Sequence, residues 1–349
     1  MKYLLIDGNN LAIRASFANS ELKNNDGIPT GVHFGFFQSL INLLQKFNGY
    51  QTLIVWDGKS KRRINESTEF VKKGVIPEIY KANRKKEDAP QPLKDFWEQS
   101  SFLKRAIGQT GIPQIQLEDF EADDVIASYS KILRNEHEVI ICTSDRDYYQ
   151  LLHENVSLWD GMKNTLTTLK SFQETNGLAP DTYVHLCALT GDDSDNIFGI
   201  PSWGETTASK FIKECNGNCF SVIESIEKMA KDYREKYPDI TGDEFNRLKS
   251  IVTKSGNPKY QGIYEGMPYT GVTLACEDKK IKPALAKSTL MALMFKDRVP
   301  LAYSLKTMDN PEVPKEIPRF AFNKNKLMEY FDYYDIESLK DSIHIFETK

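Results

Sequence analysis

The chemistry in this chain lies in nine carboxylates: Asp7, Asp57, Glu121, Asp123, Asp124, Asp145, Asp147, Asp192 and Asp195. Three short apolar runs lead into such acids. Leu4-Leu5-Ile6 runs into Asp7, Leu53-Ile54-Val55-Trp56 into Asp57, and Val139-Ile140-Ile141-Cys142 into Thr143-Ser144-Asp145-Arg146-Asp147. In an open parallel sheet the ligand crevice lies at the carboxyl ends of the strands, so the acids are expected to converge there. Like charges gathered in this way repel, and desolvation raises their pKa values further. A polyvalent cation relieves both effects, and hard oxygen ligands suit Mg²⁺ or Mn²⁺ rather than zinc. Two such ions, roughly 3.5–4 Å apart, activate a water and stabilise the leaving oxygen of an in-line phosphoryl displacement. That reaction also needs cations that steer phosphate. Lys81 and Arg84, in Tyr80-Lys81-Ala82-Asn83-Arg84, are the candidates, Lys81 as a point charge and Arg84 as a planar fork.

Strand-like and helix-like patterns alternate through the first 160 residues, which implies an α/β fold built on a mainly parallel central sheet flanked by helices. Strands are expected at 2–6, 53–56, 139–142 and 156–159. Helices are expected through Val32–Phe37 and on to Phe47, from Phe96 to Ile107, over 121–133 and from Tyr148. Glu121 and Asp124, three apart, share a helix face that Asp123 does not. All three can address one site only from the first turn. Beyond Gly177 helical patterns dominate: Val184–Leu189 ending at Gly191, then Thr206–Glu214, then 324–331. A polar stretch at 253–271 interrupts them, and Pro311, Pro314 and Pro318 mark a linker.

The 349 residues, 40% hydrophobic and 11% aromatic, suit one large or two ordinary globular domains. There is no apolar run of membrane-spanning length, and the N-terminal apolar stretch is too short for a secretory signal. Five cysteines without a paired framework fit a reducing cytoplasm, and no second Cys or His pair supports zinc at Cys215 and Cys219. Gly58-Lys59-Ser60 imitates the end of a phosphate-binding loop but lacks its first glycine. The formal net charge is −4, yet ten Lys/Arg against three Glu lie between Lys59 and Lys86. Such a basic stretch beside an acidic metal pocket is a means of holding a polyanion against its catalyst.

Taken together, the motifs resemble the flap endonuclease/5′-nuclease group, which includes the 5′-nuclease domain of bacterial DNA polymerase I and stand-alone phage exonucleases. The matching stretches are Leu5-Ile6-Asp7-Gly8-Asn9-Asn10-Leu11 with Arg14, Val55-Trp56-Asp57-Gly58, Tyr80–Arg84, Glu121–Asp124, Ser144–Asp147 with Gln150-Leu151, and Leu189–Ile197. Their order and spacing fit over residues 2–212. A weaker similarity continues through Arg298–Leu301 and Ile336–Leu339.

This resemblance implies a PIN-like nuclease domain over 1–176, with a basic helical arch around 59–110. A mainly helical DNA-binding region would follow over 177–349, with a helix–hairpin–helix at 191–214. It implies hydrolysis of phosphodiesters near the 5′ end of flapped, nicked or primer-bearing duplexes. Two Mg²⁺, or Mn²⁺ in their place, would serve, with K⁺ at the hairpin. Asp7, Asp57, Glu121 and Asp123 would serve the first ion, and Asp145, Asp147, Asp192 and Asp195 the second, with Asp124 accessory. Lys81 and Arg84 would be the catalytic cations. DNA contacts are expected from Arg14, Lys59, Arg62, Arg63, Lys72, Lys73, Tyr80, Lys85, Lys86, Gly199, Gly204, Thr206 and Lys210. A monomer acting in the cytoplasm of a bacterial cell or phage-infected host is expected. RNA–DNA hybrid is an alternative substrate, as for an RNA-primer-removing ribonuclease of the same family, and a catalytically silent branched-DNA-binding protein is the other alternative. Two departures stand out: Ser202-Trp203-Gly204 replaces the usual Gly-Ile/Val-Gly of the hairpin, and Phe198 replaces the usual proline.

Overall fold

The computed structural model describes residues 1–236, 283–316 and 320–347; the polar stretch at 253–271 lies outside them. The chain divides into two compact units. The first comprises Met1–Arg62, Arg84–Pro180 and Met308–Lys349, the second Arg63–Asn83 and Asp181–Thr307. The last segment thus returns to the first unit, a return that a linear division at 176/177 does not contain.

In the first unit the strands are β1 (Lys2–Asp7), β2 (Gln51–Trp56), β3 (Gln114–Gln116), β4 (Glu138–Cys142), β5 (Val156–Asp160) and β6 (Thr165–Thr167). They form one sheet in the order β3-β2-β1-β4-β5-β6, parallel except for β6. This is the mainly parallel sheet flanked by helices that the alternation predicts. The central strands are buried on both faces, which explains their near-continuous apolar runs. Register aligns their ends: Asp7 pairs with Val55, and Ile6 with Cys142. The acids that follow these strands therefore emerge at one end of the sheet.

Helices α1 (Gly8–Ala18), α2 (Gly31–Lys46), α4 (Gln91–Gly108), α5 (Ala122–Leu133) and α6 (Leu169–Asn176) surround the sheet. The expected helix from Tyr148 is a 3-10 segment, Arg146–Leu151. Phe36 stacks on Trp56 at 5.8 Å, and Phe37 meets Phe331 edge-on at 5.0 Å. Through Phe331 and Leu327 the C-terminal helix Lys324–Tyr333 completes the core. Each large apolar side chain so buried contributes roughly 1.5–3 kcal/mol. Among the described residues no helix is long and apolar enough to cross a membrane.

The second unit is helical. It holds most of α3 (Lys61–Lys72) and α7 (Pro180–Thr190), then α8 (Glu205–Glu214), α9 (Cys219–Lys236), α10 (Pro283–Phe295) and α11 (Val299–Lys306). Trp203 stacks on Phe211 at 4.6 Å and donates its indole N–H to the Ser288 carbonyl at 3.0 Å. The buried tryptophan thus anchors the turn before α8. Ser202 stands there at φ 66°, a left-handed conformation that suits glycine better than serine. The Arg298 guanidinium lies 4.4 Å over Phe295, and its Nε donates to the Val75 carbonyl.

Candidate metal centre

Asp7 ends β1 and caps α1, its Oδ1 accepting the Asn10 N–H at 2.9 Å. Its Oδ2 accepts the hydroxyl of buried Tyr148 at 3.0 Å. Asp57, just past β2, accepts the N–H of Ala122, the first residue of α5, at 2.8 Å. Asp145 caps the 3-10 segment through the Asp147 N–H at 2.9 Å. Two asparagines tie these strand ends together. Asn9 Oδ1 accepts the Asp57 N–H, while Asn10 Oδ1 accepts both the N–H and the hydroxyl of Ser144. Between Asp7 and the asparagines only glycine fits, because a Cβ on Gly8 would lie 2.8 Å from the Trp56 ring.

The electrostatics show that these acids share one region. Burial pushes the Asp7 carboxyl well above the usual range, and the charges of Asp57 and Asp145 push it further, against the Asn10 and Tyr148 hydrogen bonds. The Tyr148 phenol is likewise raised, first by burial and then by Asp7, Asp123, Asp145 and Asp57. Four carboxylates therefore bear on a single hydroxyl. Lys104 feels Asp57, but burial lowers its pKa, and it lies 4.7 Å over the Trp56 ring. At Asp7, burial and the neighbouring carboxylates together outweigh the two hydrogen bonds that favour its charged form. An oxygen-only donor set in that condition fits a hard divalent cation.

Around this cluster, Glu121 is half-buried at the N-cap of α5, Asp123 half-buried in its first turn, and Asp147 half-exposed. Asp124 is fully buried, and its two oxygens accept the N–H groups of Glu121 and Asp309 at 3.2 and 2.7 Å. It caps a helix and pins the returning chain. The spacing from Glu121 to Asp124 is that of a capping box, a signal the sequence carried.

In the second unit Asp192 and Asp195 occupy the turn after α7. Asp192 Oδ1 accepts both the N–H and the hydroxyl of Ser194, and Oδ2 accepts Lys306 Nζ at 2.5 Å. Burial alone would raise its pKa, but the Lys306 charge and these donors prevail and hold it at about 2. Asp195 Oδ2 accepts the Tyr80 hydroxyl at 3.2 Å and lies 3.9 Å from Lys81 Nζ. The Lys81 N–H bonds the Asp195 carbonyl, Asn83 the Asp193 carbonyl, and Asn196 the Ile79 carbonyl. This lacing fixes Lys81 at φ 56°. Gly191 and Gly199 abut so closely that a Cβ on Gly199 would lie 2.3 Å from the Gly191 nitrogen, so Gly199 serves close packing.

The basic residues part into two groups. Lys59, Lys72, Lys73, Arg84, Lys85 and Lys86 are exposed, as are Gly204, Thr206 and Lys210 around the start of α8. Arg14 is half-buried, and Arg62 pairs with Asp309 at 2.7 Å. Arg63 and Tyr80 do not fit the DNA contacts expected of them. Arg63 is 1% exposed, with Nε on the Leu305 carbonyl, and Tyr80 is 6% exposed, with its hydroxyl on Asp195. The residues that sequence reasoning missed are Asn9, Asn10, Tyr148 and Lys306. The two asparagines were within reach as polar residues following a strand-end acid.

The family described as "5'-3' exonuclease, N-terminal resolvase-like domain" matches residues 2–177. The thermostable DNA polymerase I of Thermus filiformis is 36% identical over 234 residues, covering 66% of this chain but 26% of that protein. The chain thus spans about a quarter of the polymerase's length. A 5′-3′ exonuclease of Bacillus subtilis strain 168 is 35% identical over 221 residues, which is 61% of this chain and 70% of the relative. The bacteriophage T5 flap endonuclease, solved as a pseudo-enzyme-product complex with DNA and metal ions, shares the fold. Its TM-score is 0.51 at 19% identity, over 86% of this chain and 99% of that one. Strand-end carboxylates, a mainly parallel sheet and this sequence kinship converge: the chain belongs to the 5′-3′ exonuclease family.

Proposed function

We propose that this protein is a divalent-cation-dependent, structure-selective 5′-nuclease that cleaves phosphodiesters near the 5′ end of flapped, nicked or primer-bearing duplex DNA. The observation that carries the reading is the register of β1, β2 and β4, which brings Asp7, Asp57 and Asp145 out at one end of the sheet. Asp7, Asp57, Asp123 and Asp145 would hold a first divalent ion, with Glu121 and Asp147 beside them. Within the second unit, Asp192 and Asp195 are candidate ligands for a divalent ion of their own. When bound, Mg²⁺ or Mn²⁺ supplies a lowered pKa for water and neutralises charge on the phosphate.

The chain's own residues do the rest. The Ala122 N–H and Asn9 fix Asp57, and Tyr148 fixes Asp7 while keeping its proton, because burial and then the surrounding anions oppose its ionisation. Lys81 is the cation for the scissile phosphate, and Arg84 a second. The exposed Lys59, Lys72, Lys73, Lys85 and Lys86 would meet backbone phosphates in a salt-dependent way. The exposed N-terminus of α8, with Gly204, Thr206 and Lys210, suits duplex phosphate. A K⁺ ion at the preceding hairpin and action as a cytoplasmic monomer complete the reading.

A gel assay on 5′-flap, nicked, blunt and RNA–DNA substrates in Mg²⁺ and Mn²⁺ tests it. Cleavage of the flap and nicked duplexes in the wild type, and its loss in Asp145→Ala with DNA binding retained, is the expected result. Wild-type cleavage by Asp145→Ala removes the metal assignment. Lys81→Ala is expected to slow single-turnover cleavage by about 10²–10³-fold; a change in KM alone makes Lys81 a binding residue instead.

A further inference from the structure

Lys306 ends α11 with 4% of its side chain exposed, and its ammonium lies 2.5 Å from Asp192 Oδ2. A buried ammonium is costly without an anionic partner, and the helix C-terminus adds to the favourable field around it. The other oxygen of Asp192 is taken by the Ser194 N–H and hydroxyl. Asp195 offers an oxygen within 4.8 Å of one on Asp192 and has Lys81 at 3.9 Å. Asp192 and Asp195 therefore each come with a lysine, whereas burial and like charges dominate at Asp7.

We infer that Lys306 is a positioning residue that acts as a built-in counter-cation, fixing Asp192 and weakening divalent-cation binding at its turn. The inference rests on the metal reading above. A divalent ion approaching Asp192 must displace the ammonium from Oδ2 or bind beside a like charge, and either lowers affinity. The free protein then loads the Asp7 centre first, and the Asp192 turn takes up an ion once substrate phosphate adds negative charge.

The test is Mn²⁺ titration calorimetry on the full chain without nucleic acid, comparing wild type, Lys306→Met and Lys306→Arg. The wild type is expected to show a tight and a weak class of sites. In Lys306→Met the weak class tightens at least about tenfold while the tight class is unchanged, and Lys306→Arg behaves like the wild type. Wild-type uptake with an unaltered or weakened isotherm in Lys306→Met overturns the inference alone. No Mn²⁺ uptake by the wild type overturns the metal reading and this inference with it. If Lys306→Met does not fold, Lys306→Gln takes its place. A variant that folds only when Mn²⁺ is added supports the counter-cation role, whereas one that stays unfolded with Mn²⁺ makes Lys306 a packing requirement and overturns it.

Discussion

Two groups of carboxylates in this molecule belong to one proposed chemistry and show opposite electrostatics. Asp7, in the first unit, is pushed well above the ordinary carboxylate range, while Asp192, in the second, is held at about 2. Burial raises both, and Asp7 is the more deeply buried. The neighbours add to the difference: Asp57 and Asp145 beside Asp7, Lys306 beside Asp192. Like charges around a buried acid oppose its ionisation, whereas an adjacent lysine favours it. The two units thus place their carboxylates in opposite local fields.

The largest effect that sharpens this contrast is catalytic. Asp7→Asn keeps the cap on α1 but removes a ligand, and single-turnover cleavage of a 5′-flap duplex is expected to fall by about 10³-fold or more. The next is a stability effect of the kind the second unit alone should show. Asp192→Ala takes a carboxylate away from buried Lys306, which should cost about 3–5 kcal/mol in denaturant melts, so its loss of cleavage must be read beside its loss of fold. A smaller effect separates the carboxylates from other titrations in the first unit. Burial lowers the His33 pKa to about 3 from 6.5. The unfolded chain therefore takes up this proton first, and the contribution, present above pH 6.5, is lost as pH falls toward 3. By pH 5 the loss is about 2 kcal/mol. His33→Gln should flatten the slope of stability against pH in that window. The smallest effect concerns the hairpin: Ser202→Gly relieves a left-handed serine and should add about 0.5–1 kcal/mol.

Much of this was legible in the sequence. The runs at Leu4-Leu5-Ile6, Leu53–Trp56 and Val139–Cys142 mark three adjacent strands, and the acids behind them emerge at one end of the sheet. α1 was not foreseen, because it follows β1 with no intervening loop and buries Leu11, Ala12 and Ala15 without an amphipathic stripe. β3 and β6, at three residues each, are too short for a period to show. Tyr148 and Lys306 act on acids 141 and 114 residues away, and nothing local marks a lysine at a helix end as a counter-ion. Charge alone marks Asp124 as an accessory acid, while its spacing from Glu121 also makes it a cap. Charge alone misleads at Arg63 in the basic stretch: a cation in a run of cations, yet buried on a carbonyl.

The most direct test of the contrast is the melting temperature of the wild type and Asp7→Asn, each in EDTA and in Mn²⁺. Without metal, removing one of the crowded charges should raise the melting temperature above that of the wild type. With Mn²⁺ the wild type should gain more than the variant, and the order should reverse. A variant that melts lower in EDTA and gains as much from Mn²⁺ as the wild type would contradict the claim that the strand-end carboxylates are gathered to bind a divalent cation.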